Sequence, residues 1–285
     1  LSEIIKYKPE IVAFSIVYSS QAFYSLVLIN KLNELGIKTI IGGPAINSKL
    51  RSAATKTLNN EVELLQEIIA KEIDHSKLIC DRIINFNSKE KYFIPSPVIP
   101  IKTSSSCYYQ QCAFCNHHGN VKYSEYKLED IKQTIINSNA KNFFFIDDMI
   151  SKKRLLDIAD TVGNLDVNWM CQLRPTIDLD KETLQKLYDS GMKMVIWGVE
   201  SGNDRILKLI RKGTNVKDVK VVLKDSFDVG ITNVLYIMFG FPTETEQEFM
   251  DTIDFLEDHS EIISLISTSV FGMQKDTPIY KDPEK

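Results

Sequence analysis

Three of the five cysteines fall in one short polar loop, Cys107-Tyr-Tyr-Gln-Gln-Cys112-Ala-Phe-Cys115. Thr103-Ser104-Ser105-Ser106 leads into it and Asn116-His117-His118-Gly119 follows. Thiolates are soft metal ligands, and three at this spacing can converge on one centre without supplying a fourth cysteine. Two centres fit. A four-iron cluster can be held through three of its irons, leaving the fourth open to an exogenous ligand. A structural zinc ion would instead need a closed tetrahedron, with His117 or His118 completing it. Away from a ligand set, the two histidines read as solvated loop residues. Cys80 and Cys171 stand apart and read as small hydrophobes, and the odd, uneven count does not form a secreted disulfide framework.

The elements that must position this loop follow one pattern. Apolar runs near Val98–Lys102, Phe143–Ile146, Trp169–Leu173, Met194–Gly198, Val234–Phe239 and Leu265–Phe271 are short and β-branched or aromatic, as buried parallel strands are. Between them lie helical spacings such as Leu128/Ile131/Ile135 and Leu155/Ile158/Ala159/Val162. About six βα units in succession predict a parallel sheet closed into a barrel or part of one, with the chemistry at the carboxyl ends of the strands. Polar clusters fall at those ends: the cysteine loop, Asp147-Asp148, Arg174-Pro175, Glu200-Ser201-Gly202, and Gly240-Phe241-Pro242 running on to Thr245.

Each cluster also has a plain reading. Asp147 and Asp148 can cap the helix expected near Ser151, and Asn203 or Asp204 can cap the next one after Glu200. Gly240-Phe241-Pro242 is by itself a turn, and Arg174 can simply pair with a carboxylate. Lys152-Lys153-Arg154 reads as a solvated helix face. Lys212-Gly213-Thr214 lacks the upstream glycine of a phosphate loop, which excludes nucleotide hydrolysis.

Before the barrel, Ile11 to Tyr18 and Ile37 to Ile41 read as two strands, joined by a helix carrying Ala22, Leu26, Ile29 and Leu35 and stopped at Gly36. Asn60 to Ile73 reads as a further helix with Val62, Leu65, Ile68 and Ile69 on one face. The aperiodic stretch that follows, holding Pro95, Pro97 and Pro100, reads as a linker. A net charge of -4 offers no electrostatic footprint for nucleic acid and points to a small-molecule or peptide substrate. No apolar run reaches the ~18 residues of a membrane span, and the chain reads as cytoplasmic.

The cysteine loop after the first barrel strand, with Phe114 before its last cysteine and a partial barrel behind it, resembles the radical S-adenosylmethionine (SAM) superfamily. That family most often places three residues between its first two cysteines; here there are four. The resemblance implies that Cys107, Cys112 and Cys115 hold a [4Fe–4S] cluster whose open iron is chelated by SAM. Reductive cleavage then yields a 5′-deoxyadenosyl radical, with electrons from a donor such as flavodoxin or ferredoxin. It further implies SAM contacts from Phe114, Asp147, Asp148, Arg174, Glu200, Ser201, Gly240, Phe241 and Pro242. Asp147 and Asp148 would receive the methionine ammonium, Glu200 and Ser201 the ribose hydroxyls, and Gly240 the adenine.

Residues 8 to 45, through Lys8-Pro9-Glu10-Ile11-Val12-Ala13-Phe14-Ser15 and Ile40-Ile41-Gly42-Gly43-Pro44, resemble the later part of the cobalamin-binding domain that precedes the barrel in one branch of the family. The implied α/β fold is a partial (β/α)6 TIM-like barrel over residues 98–285. A 78–97 linker and an incomplete Rossmann-like domain over residues 1–77 would precede it. With no histidine before His75, cobalamin binding stays open. If it is bound, methyl transfer to carbon is the implied outcome; if it is not, rearrangement, cyclisation or oxidation.

Overall fold

The computed structural model describes residues 1–59, 61–70, 96–116, 122–275 and 277–283. His75, Cys80, His117, His118 and nearly all of the expected linker lie outside the described residues. The chain folds as two compact units, Leu1–Leu78 and Ile79–Lys285.

The first unit runs α1 (Ser2–Lys6), β1 (Ile11–Ser15), α2 (Ser19–Glu34), β2 (Lys38–Gly42), α3 (Ser48–Ala53), β3 (Lys56–Thr57) and α4 (Glu61–Ile69). Its strands form a parallel sheet in the order β1-β2-β3. Buried Ile16, Ile29, Ile41 and Leu50, with Ala22 and Leu26 packed against them, seat α2 and α3 on this sheet. The helix ends as expected, since Gly36 takes φ +75 just after it. The expected further helix is present as α4, and its Leu65, Ile68 and Ile69 are exposed among the described residues.

The second unit carries β4 (Val98–Ile101), β5 (Ser104–Ser105), β6 (Ser124–Glu125), α5 (Leu128–Ser138), β7 (Asn142–Phe145), α6 (Lys152–Val162), β8 (Asn168–Leu173), α7 (Lys181–Asp189) and β9 (Met192–Glu200). It continues with α8 (Asp204–Leu209), α9 (Val216–Asp228), β10 (Thr232–Phe239), α10 (Glu246–Asp258), β11 (Leu265–Val270) and α11 (Pro278–Lys281). Among the described residues, six strands make one parallel sheet in the order β4-β7-β8-β9-β10-β11, so chain order and sheet order coincide. That coincidence is the mark of a partial (β/α)6 barrel, as opposed to a doubly wound sheet, whose order reverses at a switch point.

The core is built from strand and helix faces together. Phe143, Phe145, Trp169, Leu173, Val195 and Trp197 meet Ile131, Leu155, Ile158, Leu184, Leu187 and Leu223. Trp197 buries its indole by donating Nε1–H to Asn233 Oδ1 at 2.8 Å, while Asn233 Nδ2 donates to the Leu223 and Ile262 carbonyls at 3.0 Å each. The strand-to-helix turns close on side-chain caps. Ser151, Asp180, Asn203 and Asn215 accept from the first turns of α6, α7, α8 and α9, and Thr245 with Glu248 forms a capping box on α10. The caps on α6, α7, α8 and α10 fix where β7, β8, β9 and β10 hand over to their helices, and so where the polar clusters after those strands sit.

Candidate functional site

The described residues between β4 and α5 leave the barrel as a lobe whose neck is the antiparallel pair β5 and β6, with Ser104 opposite Glu125 and Ser105 opposite Ser124. Tyr126 N–H donates to the Thr103 carbonyl at 3.0 Å and closes the neck. Two buried charges then grip it from the barrel side. The Asp147 carboxylate, fully buried, accepts from Thr103 N–H at 3.0 Å to each oxygen and from Ser104 Oγ–H at 2.6 Å. Burial pushes the Asp147 acid up, and the Ser104 and Thr103 bonds work against that rise. Arg154, 4% exposed, donates Nη2–H to the Thr103 carbonyl at 3.1 Å and to the Tyr126 carbonyl. Both findings revise the sequence reading. Asp147 is committed to the neck, and its neighbour Asp148 is half-buried. Arg154 is no part of a solvated face. The cap on α6 is Ser151, not either aspartate.

The tip of the lobe carries the cysteines and is docked at separate points. Ala113 N–H donates to the Ile210 carbonyl at 2.9 Å, and Ile279 N–H to the Ala113 carbonyl at 3.1 Å. Tyr109 Oη–H donates to the Arg211 carbonyl at 2.9 Å. Phe114 packs against the buried cluster Ile206, Leu207, Ile210, Met238 and Phe241. Around the first two cysteines, Ser106 and Gln110 adopt φ of 62° and 46°, and Gln110 Nε2–H reaches back to Ser106 Oγ at 3.0 Å. Cys107, Cys112 and Cys115 are half-buried thiols outside any disulfide, and Cys171 is buried in β8.

Among the described residues, no three His, Cys, Asp or Glu side chains are gathered around a single-ion centre. Three thiols on one pinned loop are the soft donor set that a [4Fe–4S] cluster takes, with its fourth iron left without a protein ligand.

Under the tip lies a turn whose role sequence reasoning missed. Residues 210–214, after α8, tie the cysteine loop to the ends of β8 and β9. Besides the bonds to Tyr109 and Ala113, the Lys212 carbonyl accepts from Arg174 Nη1–H at 3.1 Å, and Thr214 Oγ1–H donates to the Pro175 carbonyl at 2.7 Å. Lys212 Nζ donates to Glu200 Oε1 at 2.7 Å, with side chains 5% and 12% exposed. Gly213 makes the turn feasible. It takes φ +69, and a Cβ there would stand 2.2 Å from Tyr109 Oη. The glycine after a helix was the available signal.

Of the expected SAM contacts, Arg174 and Glu200 are therefore brought under the cysteine loop. The Arg174 guanidinium stacks 3.6 Å from the Tyr109 ring centroid, and its Nε–H is buried without a partner among the described residues. Glu200 ends β9 at φ 71°. Ser201 is buried and turned toward α10: its Oγ lies 3.2 Å from Thr252 Oγ1 and accepts from Asn203 N–H at 3.1 Å. Gly240 N–H donates to Glu244 Oε2, while Glu244 Oε1 is buried and unpartnered among the described residues. Phe241 meets Phe271 edge-on at 5.0 Å, and Pro242 is exposed. Glu244 stood inside the Gly240–Thr245 cluster without being singled out.

The family model for the radical SAM superfamily matches residues 101–256, more than half of the chain and the whole span from the cysteine loop to α10. The chain belongs to the radical SAM superfamily. This family uses a [4Fe–4S] cluster and SAM. Among curated relatives, the chain is 24% identical over 257 residues to a probable threonylcarbamoyladenosine tRNA methylthiotransferase of Methanocaldococcus jannaschii, covering 81% of this chain and 59% of that protein. It is 27% identical over 184 residues to the bacteriochlorophyllide d C-12(1)-methyltransferase of Chlorobaculum tepidum, covering 61% and 40%.

The fold is similar to that of OxsB, a cobalamin-dependent SAM radical enzyme solved with aqua-cobalamin and SAM. The TM-score is 0.72 at 16% identity, over 98% of this chain and 53% of that one. It is likewise similar to the radical SAM methyltransferase TsrM from Kitasatospora setae, at TM-score 0.69 and 14% identity, over 95% and 66%. At these identities the solved structures speak to fold, and they bear out the expected α/β class with its partial barrel. The radical SAM chain thus spans about half to two thirds of the solved chains and at most 59% of these two curated relatives. Among its described residues, no helix is long and apolar enough to cross a membrane.

Proposed function

We propose that this chain is a radical SAM enzyme that cleaves SAM reductively at a [4Fe–4S] cluster held by Cys107, Cys112 and Cys115. The observation that carries the reading is the docked cysteine loop. Its three thiols are fixed from the neck by Asp147 and Arg154 and from below by the 210–214 turn. When bound, the cluster and SAM together supply a 5′-deoxyadenosyl radical for hydrogen abstraction. The protein's share is to hold and orient them and to exclude water.

Arg174 and Glu244 support the SAM site. A buried donor without an acceptor and a buried acceptor without a donor are costly, and a zwitterionic ligand with hydroxyls satisfies both. Arg174 Nε–H suits the methionine carboxylate. Glu244, with Asp148 and Glu200, offers acceptors to the ammonium and the ribose. Gly240, Phe241, Pro242 and Phe114 would supply apolar contacts to the adenine. An external one-electron donor of the flavodoxin or ferredoxin type and a small-molecule or peptide substrate complete the reading.

We further propose methyl transfer with cobalamin in the first unit. A cavity of about 380 Å³ opens at the carboxyl ends of β1 and β2, lined by Phe14, Ser15, Gly42, Gly43, Leu58 and Asn59 among others. Small and apolar residues there suit the nucleotide tail of a corrin. Gly43 also has a packing reason, since a Cβ would stand 2.3 Å from the Ile16 carbonyl oxygen. Among the described residues, no histidine lines the cavity.

Dithionite-reduced, reconstituted protein should release 5′-deoxyadenosine from SAM, and the Cys112→Ala variant should not. Equal release by both would sink the assignment. Added cobalamin should co-purify with the wild type and be lost on Gly42→Phe; retention by that variant would refute the cavity assignment.

A further inference from the structure

We propose that the ion pair Lys212–Glu200 sets the reduction potential of the cluster, the lysine raising it and the glutamate lowering it. This rests on the reading that the three cysteines hold that cluster.

The pair is placed to do so. Lys212 Nζ lies 5.8 Å from the Phe114 ring centroid, between the last two cysteines of the loop, and is bonded to Glu200 away from solvent. Its backbone cannot drift. Lys212 N–H donates to the Leu207 carbonyl at 2.9 Å, and its own carbonyl holds Arg174. Gly198 on β9 leaves the room: a Cβ there would stand 2.7 Å from Lys212 Nζ and 3.1 Å from Glu200 Oε1. The turn that carries Lys212 touches the loop on both sides of Cys112 in sequence: the Arg211 carbonyl accepts from Tyr109 Oη–H and the Ile210 carbonyl from Ala113 N–H, at 2.9 Å each.

Reduction adds one negative charge to a cluster. A nearby buried cation favours the reduced form and a nearby buried anion disfavours it, while hydrogen bonding and exposure set the rest. In the wild type the two largely offset each other. Removing one uncovers the other, with a change on the order of tenfold in the ratio of reduced to oxidised cluster at fixed poise. For one electron that is about 59 mV.

The test is a potentiometric EPR titration of the reconstituted protein without SAM, in wild type, Lys212→Met, Glu200→Gln, the double variant and Lys212→Arg. Lys212→Met should lower the midpoint and Glu200→Gln raise it. The double variant and Lys212→Arg should return close to wild type. Shifts of the same sign in the two single variants, or no shift in either, would overturn the proposal. If Lys212→Met does not load iron, Glu200→Gln decides by itself, a rise supporting the proposal and a fall or no change refuting it. Iron and sulfide content of the wild type separates the two levels: an unloaded wild type refutes the cluster reading, whereas a loaded cluster with an unmoved potential refutes only this one.

Discussion

Replacing Arg154 by methionine keeps most of the buried stem and removes the guanidinium that joins the two sides of the neck. Its bonds to the Thr103 and Tyr126 carbonyls are charge-assisted, worth about 1.5–3 kcal/mol each. Its contact with Glu125, at 3.6 Å and with the glutamate 39% exposed, adds little. Part of the gross gain is offset, because the variant no longer buries a cation. The net loss expected is about 2–4 kcal/mol, or roughly 5–15 °C in Tm for a unit of this size. Circular dichroism melts of the purified protein measure the global effect. Hydrogen exchange locates it, since the Thr103 and Tyr126 amides, which donate to Asp147 and to the Thr103 carbonyl, should lose protection while Trp197 and Leu235 on the central strands keep theirs. A Tm within about 2 °C of wild type with the neck amides still protected would refute the clamp.

Other outcomes follow from the same geometry. Cys112→Ala should fail to retain iron after reconstitution, whereas Cys171→Ala, a change inside buried β8, should load like the wild type; iron analysis of both distinguishes ligand from core thiol. Gly213→Ala forces a side chain into φ +69 and against Tyr109 Oη, and should cost about 2–3 kcal/mol in denaturant melts. A cost under about 0.5 kcal/mol would mean that the turn is not rigid. Asp180 is held down to about 2, first by Thr183 N–H and then by Lys152. Its folded value lies below its unfolded one of about 3.9, so the stabilisation is present above pH ~4 and is lost as pH falls toward 2. Asp180→Ala should lessen the slope of the Tm profile in that interval, where Glu248 also contributes, and an unchanged slope would refute the assignment.

The barrel was legible because each strand is a short apolar run with a polar break at its carboxyl end. Asn142–Phe145, Asn168–Leu173 and Thr232–Phe239 fall within a residue or two of where periodicity puts them. The cysteine trio was legible because thiol spacing is local. What sequence could not give was which polar groups near the mouth are already engaged. Asp147 and Asp148 are adjacent and chemically identical, yet register turns the first into the neck. Arg154 follows two lysines on a helix whose inner face includes it, and nothing short of the packing tells it from them. Lys212 lies 12 residues past Glu200 across a helix, so their pairing is tertiary. Ser201 looked like a ligand because it follows a strand end, but its hydroxyl is taken up by the first turn of α8 and by α10.

The most direct test of the cluster reading is EPR of the anaerobically reconstituted, dithionite-reduced protein, recorded before and after SAM is added. A [4Fe–4S] complement of iron and sulfide per chain is expected, with a reduced-cluster signal that changes shape on SAM binding because the ligand sits on the open iron. Stoichiometric zinc with no cluster signal, or a cluster whose signal ignores SAM, would contradict it.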